Sequence, residues 1–236
     1  MNPSPSSRSL PRLWLRLLTF RASSDDYQSL GARRLLPGLL ACWIVGAGRY
    51  WDDSKASLLQ QTGLGSVAYV FVLAGILWII VKPLEPERIR YIGLLCFIAM
   101  TAPPAALYAI PVERWMPLEA ANQMNLGALG VVALWRLALW IHYLSRFASF
   151  YGGGLFVAAT MPLAIIFISL TSLNLHHVVF DIMGGIRDAD QTSQDAAFGA
   201  LFVLSILSVP LSLVAAVGWI AMVIRSGLRR NDTQSS

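Results

Sequence analysis

Hydrophobic positions in this chain are gathered into long runs, not spaced at the two-residue alternation or the 3.6-residue period that mark half-buried strands and amphipathic helices. Five runs carry no acidic residue and are long enough to cross a hydrocarbon core of about 30 Å at 1.5 Å per residue: 64–81, 91–110, 126–144, 154–173 and 198–224. A sixth, "LLPGLLACWIVGAGRYW" at 35–51, is shorter, contains Pro37 and ends on Gly48 and Arg49. Leaving it out gives the alternative, a five-helix topology. The last run is long enough to tilt, or to bend at Pro210.

The pattern predicts an all-α, polytopic membrane helix bundle with six transmembrane helices, cytoplasmic N- and C-termini and an interfacial amphipathic helix in front. Its parts are a basic N-terminal segment over 1–34, the six-helix domain over 35–225 and a polar tail over 226–236. Composition agrees: 56% of residues are hydrophobic and 13% charged, where soluble domains carry roughly 25% charged residues, and the mean hydropathy is +0.59.

Charge decides the orientation, because cytoplasmic loops are enriched in Lys and Arg. With six spans and the N-terminus inside, the inner segments hold Arg8, Arg12, Arg16, Arg21, Arg33, Arg34, Lys82, Arg88, Arg90, Arg146, Arg225, Arg229 and Arg230, and the outer ones only Arg49, Lys55, Arg114 and Arg187. The acids Asp52, Asp53, Glu113, Glu119, Asp181, Asp188, Asp190 and Asp195 fall outside. Removing the first span would strand the N-terminal arginines on the wrong side, which favours six. A bacterial cytoplasmic (inner) membrane fits this organisation, with the mitochondrial inner membrane as the alternative, since the first 24 residues are rich in Arg and Ser and lack acids.

In "SLPRLWLRLLTFR" the helical wheel sets Arg8, Arg12 and Arg16 against Leu10, Leu13, Trp14, Leu17 and Phe20. That is a helix for an anionic membrane surface, with Arg8, Arg12, Arg16 and Trp14 as its contacts. The net charge of +5 is explained by topology, and no zinc-ligand spacing, basic region or stacking-aromatic module points to nucleic acid. Cys42 and Cys96 lie inside spans and read as small buried hydrophobes.

The chemistry centres on Arg136 in "VVALWRLALWIHYLSR" (131–146). It lies ten residues, about 15 Å along the axis, from Arg146, near the midplane. A charge there costs between about +2.5 and more than +10 kcal/mol, depending on how it is solvated. No Asp or Glu occurs within the apolar runs, so an ion-pair partner must come from a boundary acid such as Asp52. Pro103 and Pro104 cannot donate to the carbonyls of Ala99 and Met100, and Pro162 and Pro210 free those of Ala158 and Ile206. Thr101, Thr160 and Ser169 add hydroxyls. Two readings of Arg136 follow. It snorkels or binds these carbonyls and ties helices together, or it offers a bidentate fork to an anionic or lipid-like ligand. For the second, the candidate ligand-binding residues are Arg136, Trp140, Tyr143, Pro103, Pro104 and Thr160.

A weaker constellation is "NLHHVVFD", in which His177 and Asp181 share a helical face and His176 points elsewhere. These three are the candidate metal ligands, without a convincing further one. No HExxH, GxSxG, GxxxxGK[ST] or pair of intramembrane aspartates is present, so no cofactor is expected and an enzyme is the less favoured class. The leading expectation is a small membrane protein that binds or passes a small anionic or lipid-like ligand, as a homo-oligomer or beside other membrane subunits. A non-catalytic scaffold or assembly subunit, recruiting partners through the N-terminus and residues 174–197, is the alternative, and an unusual membrane-embedded lipid enzyme the third.

Overall fold

The computed structural model describes residues 9–48, 58–85, 87–172 and 210–226, all of them helix, turn or short connection, with no strand among them. In chain order the helices are α1 (Leu10–Leu18), α2 (Ser24–Gln28), α3 (Ala32–Gly48), α4 (Leu58–Gln61), α5 (Leu64–Val81), α6 (Tyr91–Met100), α7 (Leu118–Arg146), α8 (Gly152–Ser172) and α9 (Pro210–Ser226). Two 3₁₀ segments, Pro103–Ala109 and Val112–Arg114, join α6 to α7. Two helices, α5 and Glu119–Arg146 of α7, are long and apolar enough to cross a membrane; the other apolar stretches, Tyr91–Leu107, Gly152–Ile166 and Pro210–Ser226, are shorter.

The run at 64–81 becomes α5 with those ends. Gly63 precedes it at φ +67, and a Cβ there would fall 2.5 Å from Ala47 N and 2.7 Å from Trp43 O. Only glycine permits both the backbone turn and this approach to α3. Small residues bring other helices together in the same way, as in membrane bundles, where close packing replaces the hydrophobic effect. Gly38 faces Ala99, Gly46 faces Ser66, and Gly218 of α9 faces Val157 of α8.

The run at 91–110 does not stay α-helical. The α-helix stops at Met100, and Pro103–Ala109 follows as a 3₁₀ segment. Pro103 and Pro104 lack the N–H groups that would continue the ladder, so the last turn tightens instead. The run at 126–144 is the core of a longer helix that begins at Leu118, directly after Pro117. Pro37 and Pro162 both sit inside helices, α3 and α8.

The segments expected on the inner side meet at one end of the bundle. Arg88 donates to Phe147 O (3.2 Å) and Ser149 Oγ (2.6 Å), and Ser226 Oγ to Pro83 O (3.3 Å). Tyr27 packs edge-on to Tyr143 and against Phe147. Lys82 Nζ caps the turn through Ile89 O (3.1 Å). At the far end, Trp43 Nε1 donates to Thr62 O (2.7 Å), and Gly48 lies beside Ala109.

The N-terminal helix differs from a surface element. Leu13 and Leu17 are fully buried, and Leu10, Trp14 and Leu18 pack against the core. Trp14 Nε1 of α1 donates to Met100 O where α6 stops, and Leu18 O accepts from Trp135 of α7, so α1 docks across the two helices. From water, burying each leucine is worth about 1.5–3 kcal/mol.

Candidate functional site

Four polar side chains from four helices lie at one depth. Arg136 of α7 is ten residues from Arg146, Thr101 ten from Tyr91, Cys42 ten from Ala32 and Tyr69 twelve from Val81. At 1.5 Å per residue each is about 15–18 Å from the end of its helix nearest the 82–90 turn. Arg136 Nε donates to Thr101 Oγ1 at 3.4 Å. Arg136 therefore turns toward the end of α6.

The bond to Thr101 is long and weak. The Thr101 hydroxyl also donates to Ile98 O (2.7 Å), so it accepts from Arg136. A guanidinium has five N–H donors and no acceptor. Among the described residues Arg136 makes no other hydrogen bond and meets no carboxylate. It is half-buried. Asp52 lies outside the described residues.

The freed carbonyls do not cage the guanidinium. Ala99 O is taken by the Ala102 N–H (3.2 Å), and Met100 O by Trp14 Nε1 (2.6 Å). The proline break thus serves to dock α1. Pro103 and Pro104 are half-buried, and neither places a carbonyl on Arg136. Thr160 donates to Phe156 O (2.7 Å) within its own helix, and no hydrogen bond joins it to Arg136.

Trp140 and Tyr143, one and two turns from Arg136 on the same face of α7, are both buried, as is Val132. Trp140 stacks on Tyr143 with centroids 5.6 Å apart, and Phe97 of α6 stacks on Tyr143 at 4.6 Å. These aromatic rings form a solid wall below Arg136. Trp140 Nε1 is buried and has no hydrogen-bond partner.

The chain over 9–30 is clamped over this wall. Trp135 Nε1 donates to Leu18 O (3.0 Å), and the Tyr27 hydroxyl meets His142 Nδ1 at 2.7 Å. Phe20 closes α1 in the left-handed region at φ 60, with Arg21 N bonded to Arg16 O (2.8 Å) and Phe20 N to Leu17 O (3.3 Å). That is the glycine-favoring Schellman arrangement; here a phenylalanine occupies it, its ring against Trp135 and His142. Asp26 is fully buried, completes a capping box with Ser23 and pairs with Arg16 Nε at 3.0 Å. Burial, reinforced by Asp26 and opposed by Arg146, pushes the Tyr27 hydroxyl above its ordinary range.

Of the expected membrane-surface residues, Arg12 is exposed. Arg16 is half-buried in its ion pair, and Trp14 is bonded inside the fold. Arg8, His176, His177 and Asp181 lie outside the described residues, among which no cluster of His, Cys, Asp and Glu is arranged for a metal ion. Comparison with protein-family models, with curated proteins and with solved structures finds no match to this chain.

Proposed function

We propose that this chain is a six-span membrane protein of the bacterial cytoplasmic membrane that binds or passes a small anionic or lipid-like ligand at Arg136, with the mitochondrial inner membrane as the alternative location. One observation carries the reading: a half-buried arginine at mid-depth, turned toward Thr101 at the end of α6, with one weak bond and no carboxylate in contact among the described residues. A cation so placed is expensive, and such residues mark ligand or ion paths when no partner neutralises them. The junction of 82–90, 147–149 and Ser226 at one end of the bundle supports the spans and their orientation, since the exposed Arg88, Arg90, Arg146 and Arg225 belong to those segments or flank them.

A partner-recruiting scaffold draws less support. Its N-terminal surface would need the apolar face of α1, and that face is used within the chain.

The test is Arg136→Leu, expressed at wild-type levels and reconstituted in proteoliposomes. Flux or binding of carboxylate and phosphate ligands should drop to the level of empty vesicles. Unchanged flux and binding for both classes would remove the proposal.

A further inference from the structure

His142 of α7 is in contact with the N-terminal segment at two points. The Tyr27 hydroxyl lies 2.7 Å from its Nδ1, and the Phe20 ring meets it edge-on with centroids 6.0 Å apart. Phe20 closes α1 and Tyr27 belongs to α2, so one imidazole touches both sides of the bend between the two helices. Phe20 is the strained point of that bend. It sits at φ 60, a conformation that a non-glycine residue keeps only where its surroundings hold it. Its ring is held there by Trp135 and His142.

The arrangement is made for a neutral imidazole. In that form one ring nitrogen accepts and the other donates, and once protonated both donate. A protonated His142 would force the Tyr27 hydroxyl to accept and to turn its own proton elsewhere. Tyr27 is only 2% exposed, and its hydroxyl has no second partner among the described residues. A buried donor left without an acceptor weakens whatever buries it.

The surrounding groups do not offset a positive charge either. Arg146 stands one turn further along α7, where a second cation is unfavourable, and the exposed Arg21 follows Phe20. Asp26, one residue before Tyr27, gives Oδ2 to Arg16 and to Ser23. Tyr143 of α7 and Phe97 of α6 reach this corner as rings packed on Tyr27. Among the described residues no carboxylate is paired with His142.

We propose that His142 is a pH-sensitive latch: the neutral imidazole holds Phe20 and Tyr27 in place, and its protonation releases residues 9–30 from α7. This goes beyond the ligand reading of Arg136 and does not depend on it. The undocked chain takes up the proton more readily than the docked one, so the undocked population rises as pH falls through the ordinary imidazole range. With an ordinary value of about 6.5 in the undocked chain, one imidazole raises that population by at most about ten-fold between pH 7.5 and 5.5.

The experiment is limited trypsinolysis of the full chain in a neutral maltoside detergent at pH 7.5, 6.5 and 5.5. Trypsin itself slows in acid, so the readout is a ratio within each digest: cleavage after Arg12, Arg16 and Arg21 against cleavage after the exposed Arg88 and Arg90. In the wild type this ratio should rise several-fold, up to about ten-fold, from pH 7.5 to 5.5. His142→Gln keeps a hydrogen-bonding side chain that does not titrate, and its ratio should stay within two-fold across the range. The chain has three histidines, so the double variant His176→Gln, His177→Gln should respond as the wild type does. If His142→Gln is cleaved rapidly at every pH because it no longer docks, the double variant decides: a wild-type response assigns the latch to His142, and a lost response overturns it. A wild-type ratio that does not change with pH, or a His142→Gln ratio that rises as the wild type's does, also overturns it.

Discussion

Asp26→Asn should release the N-terminal clamp. In the native chain Asp26 Oδ2 accepts from Arg16 Nε, from the Ser23 N–H and from the Ser23 hydroxyl, each at 3.0 Å, with the carboxylate fully buried. An amide in its place removes the charge and presents N–H donors to groups that already donate. Loss of the α2 cap is worth about 1 kcal/mol. The ion pair adds about as much again and no more, because Arg16 is 38% exposed and can rehydrate. A total of about 2 kcal/mol raises the undocked population of residues 9–30 roughly 30-fold. Limited trypsinolysis in detergent reads this population directly when reclosing is faster than cleavage. Cleavage after Arg12, Arg16 and Arg21 should accelerate by about that factor, while the rate at the exposed Arg88 and Arg90 is unchanged. Equal N-terminal rates in the two proteins, or acceleration everywhere, would refute the assignment of Asp26 to a local clamp.

Alkaline pH should loosen the same clamp through Tyr27. Its folded-state pKa lies above the ordinary value of 10.0, so the folded chain keeps a proton that the unfolded chain loses; stability is fully present below pH 10 and declines as pH rises beyond it. Thermal melts between pH 8 and 11 should show that decline in the wild type and a flatter profile in Tyr27→Phe; parallel profiles would contradict the burial argument. Trp14→Phe should cost about 1 kcal/mol by leaving Met100 O without its donor, and Pro104→Ala, which restores a competing backbone N–H, should reduce that loss. A double-mutant cycle showing simple additivity would disprove the link between the proline break and α1.

How far the sequence announced this arrangement depends on the range of the interaction. Leu64–Val81 could be read to the residue, since hydropathy alone defines an uninterrupted apolar helix. The start of α7 at Leu118 was missed because "LEAANQMN" is helix-forming but too polar to join an apolar run. Pro103 and Pro104 marked freed carbonyls correctly, yet the group that takes Met100 O comes from 86 residues away, and no local pattern reports such a partner. For the same reason α1 read as a surface helix: its wheel shows an apolar face and is silent on whether lipid or protein covers it. The Ser23–Asp26 capping box was not read from the sequence, although its spacing is a capping pattern, and the Arg16–Asp26 pair exists only after folding.

The most direct measurement of the central claim is native mass spectrometry of the purified chain, with the co-purifying small molecules released and identified. The wild type should retain one carboxylate- or phosphate-bearing molecule per Arg136 site, and Arg136→Leu should lose it while Arg12→Ala, altered only on the exposed face of α1, keeps it. Identical bound species in wild type and Arg136→Leu would show that the mid-depth charge is not held for a ligand.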